Sequence, residues 1–272
     1  SCYSEGNISG EKYVSGGAGI NYVKIINCAS EANVEVLNDY AGGLVGKNEN
    51  GWIENSYASD NISGAKNIGG LLGYNDGVVF KCYSTGSVTD NYAADGVSDG
   101  FGGLIGDSTE QACAIISFWD TQKSSRTISA GGIGKTTAEM KNKTTFIDWG
   151  KSTIDDTGDE LVYWTIYQQG NKDYPRLSWE NIEGDIIPTV LITDLLSGSG
   201  KVNDPFLIDS PEKLNAVGLF PHEWDKSFKL SANINLSGYT GKKFNMIGYY
   251  RMPFAGVFDG NNKVISNFAF DS

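Results

Sequence analysis

A Gly-Gly-apolar-apolar-Gly block returns three times in the first half of the chain, as Gly42-Gly43-Leu44-Val45-Gly46, Gly69-Gly70-Leu71-Leu72-Gly73 and Gly102-Gly103-Leu104-Ile105-Gly106, with a degenerate copy at Gly16-Gly17-Ala18-Gly19-Ile20. Successive copies start 26, 27 and 33 residues apart. A second block keeps phase with it: Cys2-Tyr3-Ser4, Cys28-Ala29-Ser30, Ser56-Tyr57-Ala58 and Cys82-Tyr83-Ser84, at spacings of 26, 28 and 26. A short apolar element follows each time, at Asn7-Ile8-Ser9-Gly10, Val34-Glu35-Val36, Asn61-Ile62-Ser63-Gly64 and Ser87-Val88-Thr89. A fixed period of this kind commits a chain to stacked units that bury their apolar faces against their neighbours.

Each period holds three β-prone pieces, around the Gly-Gly-Leu block, the Cys-Tyr-Ser block and the Ile-Ser-Gly block, separated by Gly, Asn, Asp and Ser. Three short strands per period predict one coil of a solenoid, in which each strand stacks on its counterpart about 4.8 Å away. The expected fold class is all-β: a right-handed parallel β-helix (β-solenoid) with short capping helices. A propeller blade needs about 40 residues and four strands, and an antiparallel sandwich holds no such phase. The 35 glycines in 272 residues are expected to supply positive φ at sharp corners and to admit close backbone approach. A net charge of −12 repels phosphate backbones and anionic membrane surfaces, so no nucleic acid is expected as a partner. No apolar run reaches the roughly 18 to 20 residues of a span, so no membrane insertion is expected.

Gly69-Gly70-Leu71-Leu72-Gly73-Tyr74-Asn75-Asp76-Gly77 leading into Cys82-Tyr83-Ser84-Thr85-Gly86-Ser87-Val88 resembles the GLUG repeat of large bacterial cell-surface and secreted proteins, among them immunoglobulin A peptidases and haemagglutinin-like adhesins. The resemblance covers about residues 1 to 120. Gly131 to Met140, Thr144 to Trp149, Trp164-Thr165-Ile166 and Tyr174-Pro175-Arg176-Leu177 resemble the segment that closes such arrays. The resemblance implies an extracellular or cell-surface β-helix, secreted by a bacterium and used for display or attachment. It implies no catalytic residue, and the chain is not expected to be an enzyme.

The side chains add a short set of candidates. Cys2, Cys28 and Cys82 share one slot of successive repeats with Ser56, which predicts small inward residues and free buried thiols rather than a disulfide framework; Cys113 falls out of phase. One His leaves little for a metal or a triad. Asp90, Asp95 and Asp99, in the loop that lengthens the third spacing, could hold calcium, as could Asp155, Asp156, Asp159 and Glu160; otherwise each is a solvated acidic loop, and no other cofactor is expected. Tyr57 and Tyr83 adjoin the small slot, so alternation points them outward. Stacked one coil apart, they either grip a sugar or peptide, making a surface glycan or host protein a partner, or form a ladder that stiffens the coil.

The second half starts again. Residues 183–200 read as a linker with an apolar middle, following a solenoid and closing segment over 1–182. In 201–272, Ser210-Pro211-Glu212 opens a short helix that Gly218 ends, and Phe228, Leu230, Ala232, Ile234 and Leu236 alternate with polar residues. This segment is similar to the N-terminal cap and opening coils that precede GLUG arrays, so the order is permuted relative to one module, and both ends of the chain read as cut from something regular. A solenoid end leaves strand edges without neighbours. The first coil, around Cys2, Tyr3, Ile8 and Ile20, and the last strands, around Val257, Phe258, Ile265, Phe268 and Phe270, are therefore expected to pair: within the chain, with another copy head to tail as a filament, or as part of a longer adhesin. A carbohydrate-binding module or a polysaccharide lyase on the same β-helix is the alternative.

Overall fold

The computed structural model describes residues 1–91, 100–147, 149–154, 160–166, 173–187, 190–239 and 244–269, with the backbone alone for 151–154 and 160–162. The chain divides into two compact units, Ser1–Thr189 and Val190–Ser272. In the first, β1 (Cys2–Gly10), β2 (Val14–Ser15), β3 (Ala18–Asn21) and β4 (Lys24–Ile26) form one coil, and β5 (Cys28–Val36), β6 (Asp39–Gly42) and β7 (Val45–Glu54) form the next. Pairing is parallel and joins each residue to its counterpart one repeat later: Cys2 to Cys28, Val14 to Ala41, Ala18 to Val45, Ile25 to Ile53. One column of the first sheet runs Tyr3, Ala29, Tyr57, Tyr83, Phe118, Ile133 through six levels. The fold is the parallel β-solenoid that the period predicts.

The strands are cut differently from the three pieces read in the sequence. The Cys-Tyr-Ser and Ile-Ser-Gly blocks share one face: β5 runs unbroken from Cys28 to Val36. The remaining face is β6 and its counterparts, the residues just before and into each glycine pair. Inside, Leu44, Leu71 and Leu104 pack with Val45, Leu72 and Ile105, while Val34, Ile62 and Val88 pack with Ala41, Ile68 and Phe101.

Of the two tasks expected of glycine, the block glycines perform one, close backbone approach. None of Gly42, Gly43, Gly69, Gly70, Gly102 or Gly103 has positive φ; they are there because a Cβ would strike the next coil, as at Gly70, where it would lie 2.3 Å from the Gly103 carbonyl oxygen and 2.8 Å from Ser84 Oγ. The left-handed corners belong to other residues. Asn27, Asn55, Lys81 and Ile116 stack at one corner, with φ of 56, 45, 51 and 47°. Asn tolerates this region through its short polar side chain. Buried asparagines also link coils: Asn21 Nδ2 donates to Asn48 Oδ1 at 2.8 Å and Asn48 Nδ2 to Asn75 Oδ1 at 2.9 Å.

Ile133–Lys135 adds the last level of the first sheet, and Thr136 then opens α1 (Thr137–Met140) with a capping box closed by Glu139. In the second unit, the Phe206–Ile208, Ser227–Leu230 and Val257–Asp259 strands stack in parallel, with Phe206, Phe228 and Phe258 in one column. Here α3 (Pro211–Val217) follows α2 (Ile192–Leu195), and Ser210 Oγ accepts from the Lys213 amide at 3.3 Å as its cap. Residues 183–200 are not a stretch of one kind: Asp185–Ile186 pairs antiparallel with Trp164–Ile166 in the first unit, while Ile192–Leu195 is the helix of the second. No helix among the described residues is long and apolar enough to cross a membrane.

Candidate functional site

The residues singled out for pairing lie on open strand edges. Among the described residues β1 pairs on one side only, with β5, and its outward side chains are exposed. Cys2 and Tyr3 are exposed, whereas Ile8 and Ile20 are half-buried against the coil beneath. Among the described residues of the second unit, the Val257–Asp259 strand pairs only with Ser227–Leu230, and Ile265–Ser266 only with Ile234–Asn235. Val257, Phe258, Ile265 and Phe268 are all exposed; Phe270 lies outside the described residues. A cavity of about 580 Å³ opens beside this edge, lined by Val202, Leu207, Phe228 and Val257 and carrying the Lys229–Asp259 ion pair at 3.0 Å.

The edges have opposite polarity. Among the described residues, the earliest coil of the first unit has an edge open on its early side, and the latest coil of the second has one open on its late side. A β-ladder is directional, so a parallel stack continues only when the late edge of one solenoid meets the early edge of another.

Tyr57 and Tyr83 point out of the coil, as alternation requires, but not into solvent. Both are buried, at 0% and 1% exposure, because the closing segment lies over them. Their rings stack at 5.0 Å and 2°, with Trp149 and Trp164 against Tyr83 at 6.3 and 5.6 Å. Tyr83 Oη donates to the Pro175 carbonyl at 2.5 Å. They form a covered ladder and offer no face to a ligand, which corrects their reading as contact residues.

Arg176 anchors that cover. The column substitutes Ala29 for a third ring; with Tyr83 on one face of Tyr57, the guanidinium takes the other, 5.5 Å from the ring centroid. It pairs with Glu31, lies 3.4 Å from Glu180 and donates to Tyr57 Oη at 2.6 Å. Burial pushes the Glu31 carboxyl up, but hydrogen bonds from Arg176 and Tyr3, with the Arg176 charge, hold it below its ordinary value. Burial raises the phenols of Tyr57 and Tyr83 well above theirs. The arrangement clamps; the Tyr-Pro-Arg-Leu motif was its visible trace.

The exposed stack of tyrosines is elsewhere. Tyr13 and Tyr40 stack at 5.0 Å and 7°, Tyr74 meets Tyr40 edge-on at 5.8 Å, and Lys12 lies 5.1 and 5.3 Å from the first two rings. All three rings are partly exposed. Tyr13 and Tyr40 have φ of 56° and 68°, a region bulky side chains rarely occupy. The signal that could have found Tyr13 and Tyr40 is the tyrosine two or three positions before each of the first two glycine pairs, a place that Asn67 takes before the third.

Of the acidic candidates, Asp95 and Asp99 lie outside the described residues, as do Asp155, Asp156, Asp159 and the side chain of Glu160. Asp90 ends the Val88–Asp90 strand, where its charge acts on Arg126. Among the described residues no three His, Cys, Asp or Glu side chains gather closely enough for a metal. All four cysteines are free; Cys28, Cys82 and Cys113 are buried, and Cys2 is exposed because no coil covers it. Cys113 pairs in register with Val78 in another column.

The chain carries GLUG repeats: residues 38–63 and 64–89 each match the GLUG motif. It is similar to a protein of Evansella cellulosilytica whose name describes it as a Gly-rich membrane protein, with 28% identity over 193 residues, covering 61% of this chain and 18% of that relative. The chain thus spans under a fifth of the length of the relative it matches. No solved structure matches the chain.

Proposed function

We propose that this chain is a structural, non-catalytic β-solenoid of a bacterial surface or secreted protein, and that it assembles end to end by strand pairing between its open edges. The observation that carries this reading is the polarity match between β1, open on its early side, and the Val257–Asp259 and Ile265–Ser266 strands, open on their late side. The naming of the Evansella cellulosilytica relative as a Gly-rich membrane protein supports a cell-surface setting, with this segment outside the membrane. Attachment would follow from length: each coil adds about 4.8 Å of rigid reach. Sedimentation velocity with negative-stain electron microscopy tests it. Rods that lengthen with concentration are expected; a dispersed monomer across the range counts against the reading.

The exposed Tyr13, Tyr40 and Tyr74 cluster favours one second reading, a carbohydrate-binding surface, since rings with partly open faces can stack on sugars. A glycan-array signal abolished by Tyr40→Ala would support it, and an array without signal would remove it.

A further inference from the structure

We propose that Tyr40 and Tyr74, with Tyr13 beside them, form a platform on the flank of the solenoid whose ligand is a neutral glycan built of pyranoses with equatorial hydroxyls. This rests on the carbohydrate-binding reading above and deepens it by naming the class of sugar.

The first observation is backbone strain. Val14, Ala41, Ile68 and Phe101 stack in one column, so the residues before them, Tyr13, Tyr40, Asn67 and Gly100, share a corner. All four are left-handed, with φ of 56, 68, 53 and 74°. Gly and Asn suit that region, whereas a bulky side chain there is strained. The two later coils carry the residues that the corner prefers; the two earlier ones hold tyrosine at a cost in stability. Strain kept where the fold itself offers a relaxed alternative points to a task for the rings.

The second observation is direction. Tyr40 has a coil on each side, with Tyr13 before it and Asn67 after it, and is still half-exposed. What shows of its ring therefore faces sideways from the solenoid and not along its axis. Tyr74, also half-exposed, lies between Lys47 and Asp107 in its own column. Tyr13 and Tyr40 stack at 5.0 Å and 7°, close to the rise of one coil, so their planes lie across the axis. Tyr74, at 87° to Tyr40, stands along it. The flank thus presents rings in two orientations, which a pyranose meets with its C–H face on one and its rim on the other.

Charge selects the ligand. Lys12 lies 5.1 and 5.3 Å from the Tyr13 and Tyr40 ring centroids, and Lys47 lies 5.7 Å from that of Tyr74. Their ammonium groups hold the positions over the rings that a cationic sugar would take. An anionic sugar meets a chain of net charge −12. Beside the rings, Lys47 is committed to Glu49 at 2.9 Å, and the charges of Asp107 and Asp76 act on Tyr74. A neutral glycan avoids both penalties, and its hydroxyls find donors and acceptors in the same groups. Equatorial hydroxyls leave the C–H face of each pyranose bare for a ring.

Titration calorimetry of the full chain with four hexasaccharides tests this: cellohexaose, acetylated chitohexaose, the uronate made by oxidising cellohexaose, and deacetylated chitohexaose. The two neutral probes are expected to bind, and Tyr40→Asn and Tyr74→Ala are expected to weaken them roughly tenfold or more. Tyr40→Asn, which matches the corner of the next coil, is expected to melt at or above the parent temperature because it relieves the strain. Binding of the uronate or the deacetylated probe alone overturns the class of sugar and leaves the carbohydrate-binding reading intact. Binding of none of the four overturns both. Cellohexaose binding that is unchanged in Tyr40→Asn, with a melting temperature well below the parent's, makes the rings a structural brace and overturns the site.

Discussion

The backbone N–H of Cys28 donates to Ser56 Oγ, 3.1 Å away and one coil later. Ser56 Oγ donates onward to the Glu54 carbonyl at 2.8 Å. The next pair repeats the pattern, Cys82 N–H to Ser117 Oγ at 3.2 Å and Cys82 Sγ to the Phe80 carbonyl at 3.2 Å. The slot therefore selects a small side chain that can accept from one coil and donate to its own corner. Both Ser and Cys do so, which explains their interchange along the column.

The first prediction follows from that slot. Cys82→Ser keeps both bonds and should change stability by less than about 1 kcal/mol, whereas Ser56→Ala leaves the buried Cys28 N–H without its partner and should cost about 1–3 kcal/mol. Urea titration of both variants checks this. Equal midpoints for Ser56→Ala and the parent would remove the hydrogen-bonding account.

Asn48 carries the second prediction. It accepts from Asn21 and donates to Asn75 and to the Gly51 carbonyl. Asn48→Asp has nothing to donate and places a charge in a dry interior, so it should destabilise more than Asn48→Ala, by about 2 kcal/mol or more at neutral pH. The gap should narrow in acid, where the carboxyl protonates. Thermal melts of the pair at two pH values distinguish this from a simple volume effect, which would leave the ranking independent of pH.

What was legible in the sequence was whatever repeats. The phase of Cys2, Cys28, Ser56 and Cys82 located the coil, and alternation placed Tyr57 and Tyr83 outside it. Their burial was not legible, because what covers them arrives from far along the chain without periodicity: Tyr83 meets Pro175 across 92 residues and Tyr57 meets Glu180 across 123. A trace existed in Ala29, a gap in a column of rings, which an Arg from outside the repeat fills. The block glycines were legible in part, for a different reason. Glycine reports either positive φ or crowding, and only coordinates tell which.

Crowding gives the third prediction. At Gly70 a Cβ would meet the Gly103 carbonyl oxygen at 2.3 Å, and backbone of the next coil cannot yield as a flexible side chain can. Gly70→Ala should therefore cost several kcal/mol, about 3 or more, as overpacking against fixed neighbours does. Gly238 has nothing within 4 Å of the same position, and Gly238→Ala should stay within about 0.5 kcal/mol. If both variants melt together with the parent, the close-approach reading is wrong.

The clamp over the ladder gives the last prediction, in the pH dependence of stability. Glu31 has its carboxyl below the ordinary 4.5 in the folded chain, so its contribution is present above that value and is lost as pH falls through the lowered one. Tyr57 and Tyr83 shift the other way, raised by burial from an ordinary 10.0. Their contribution is complete below about pH 10 and disappears above it, because the unfolded chain releases the phenolic protons first. Melting temperature should thus decline at both extremes. Glu31→Gln should mainly flatten the acid limb, and Tyr57→Phe, which keeps the ring stack and removes one phenol, should mainly soften the alkaline limb, each with a smaller effect on the other because Tyr57 Oη donates to Glu31. An acid limb unchanged in Glu31→Gln would mean that the Arg176 clamp contributes nothing to holding the cover in place.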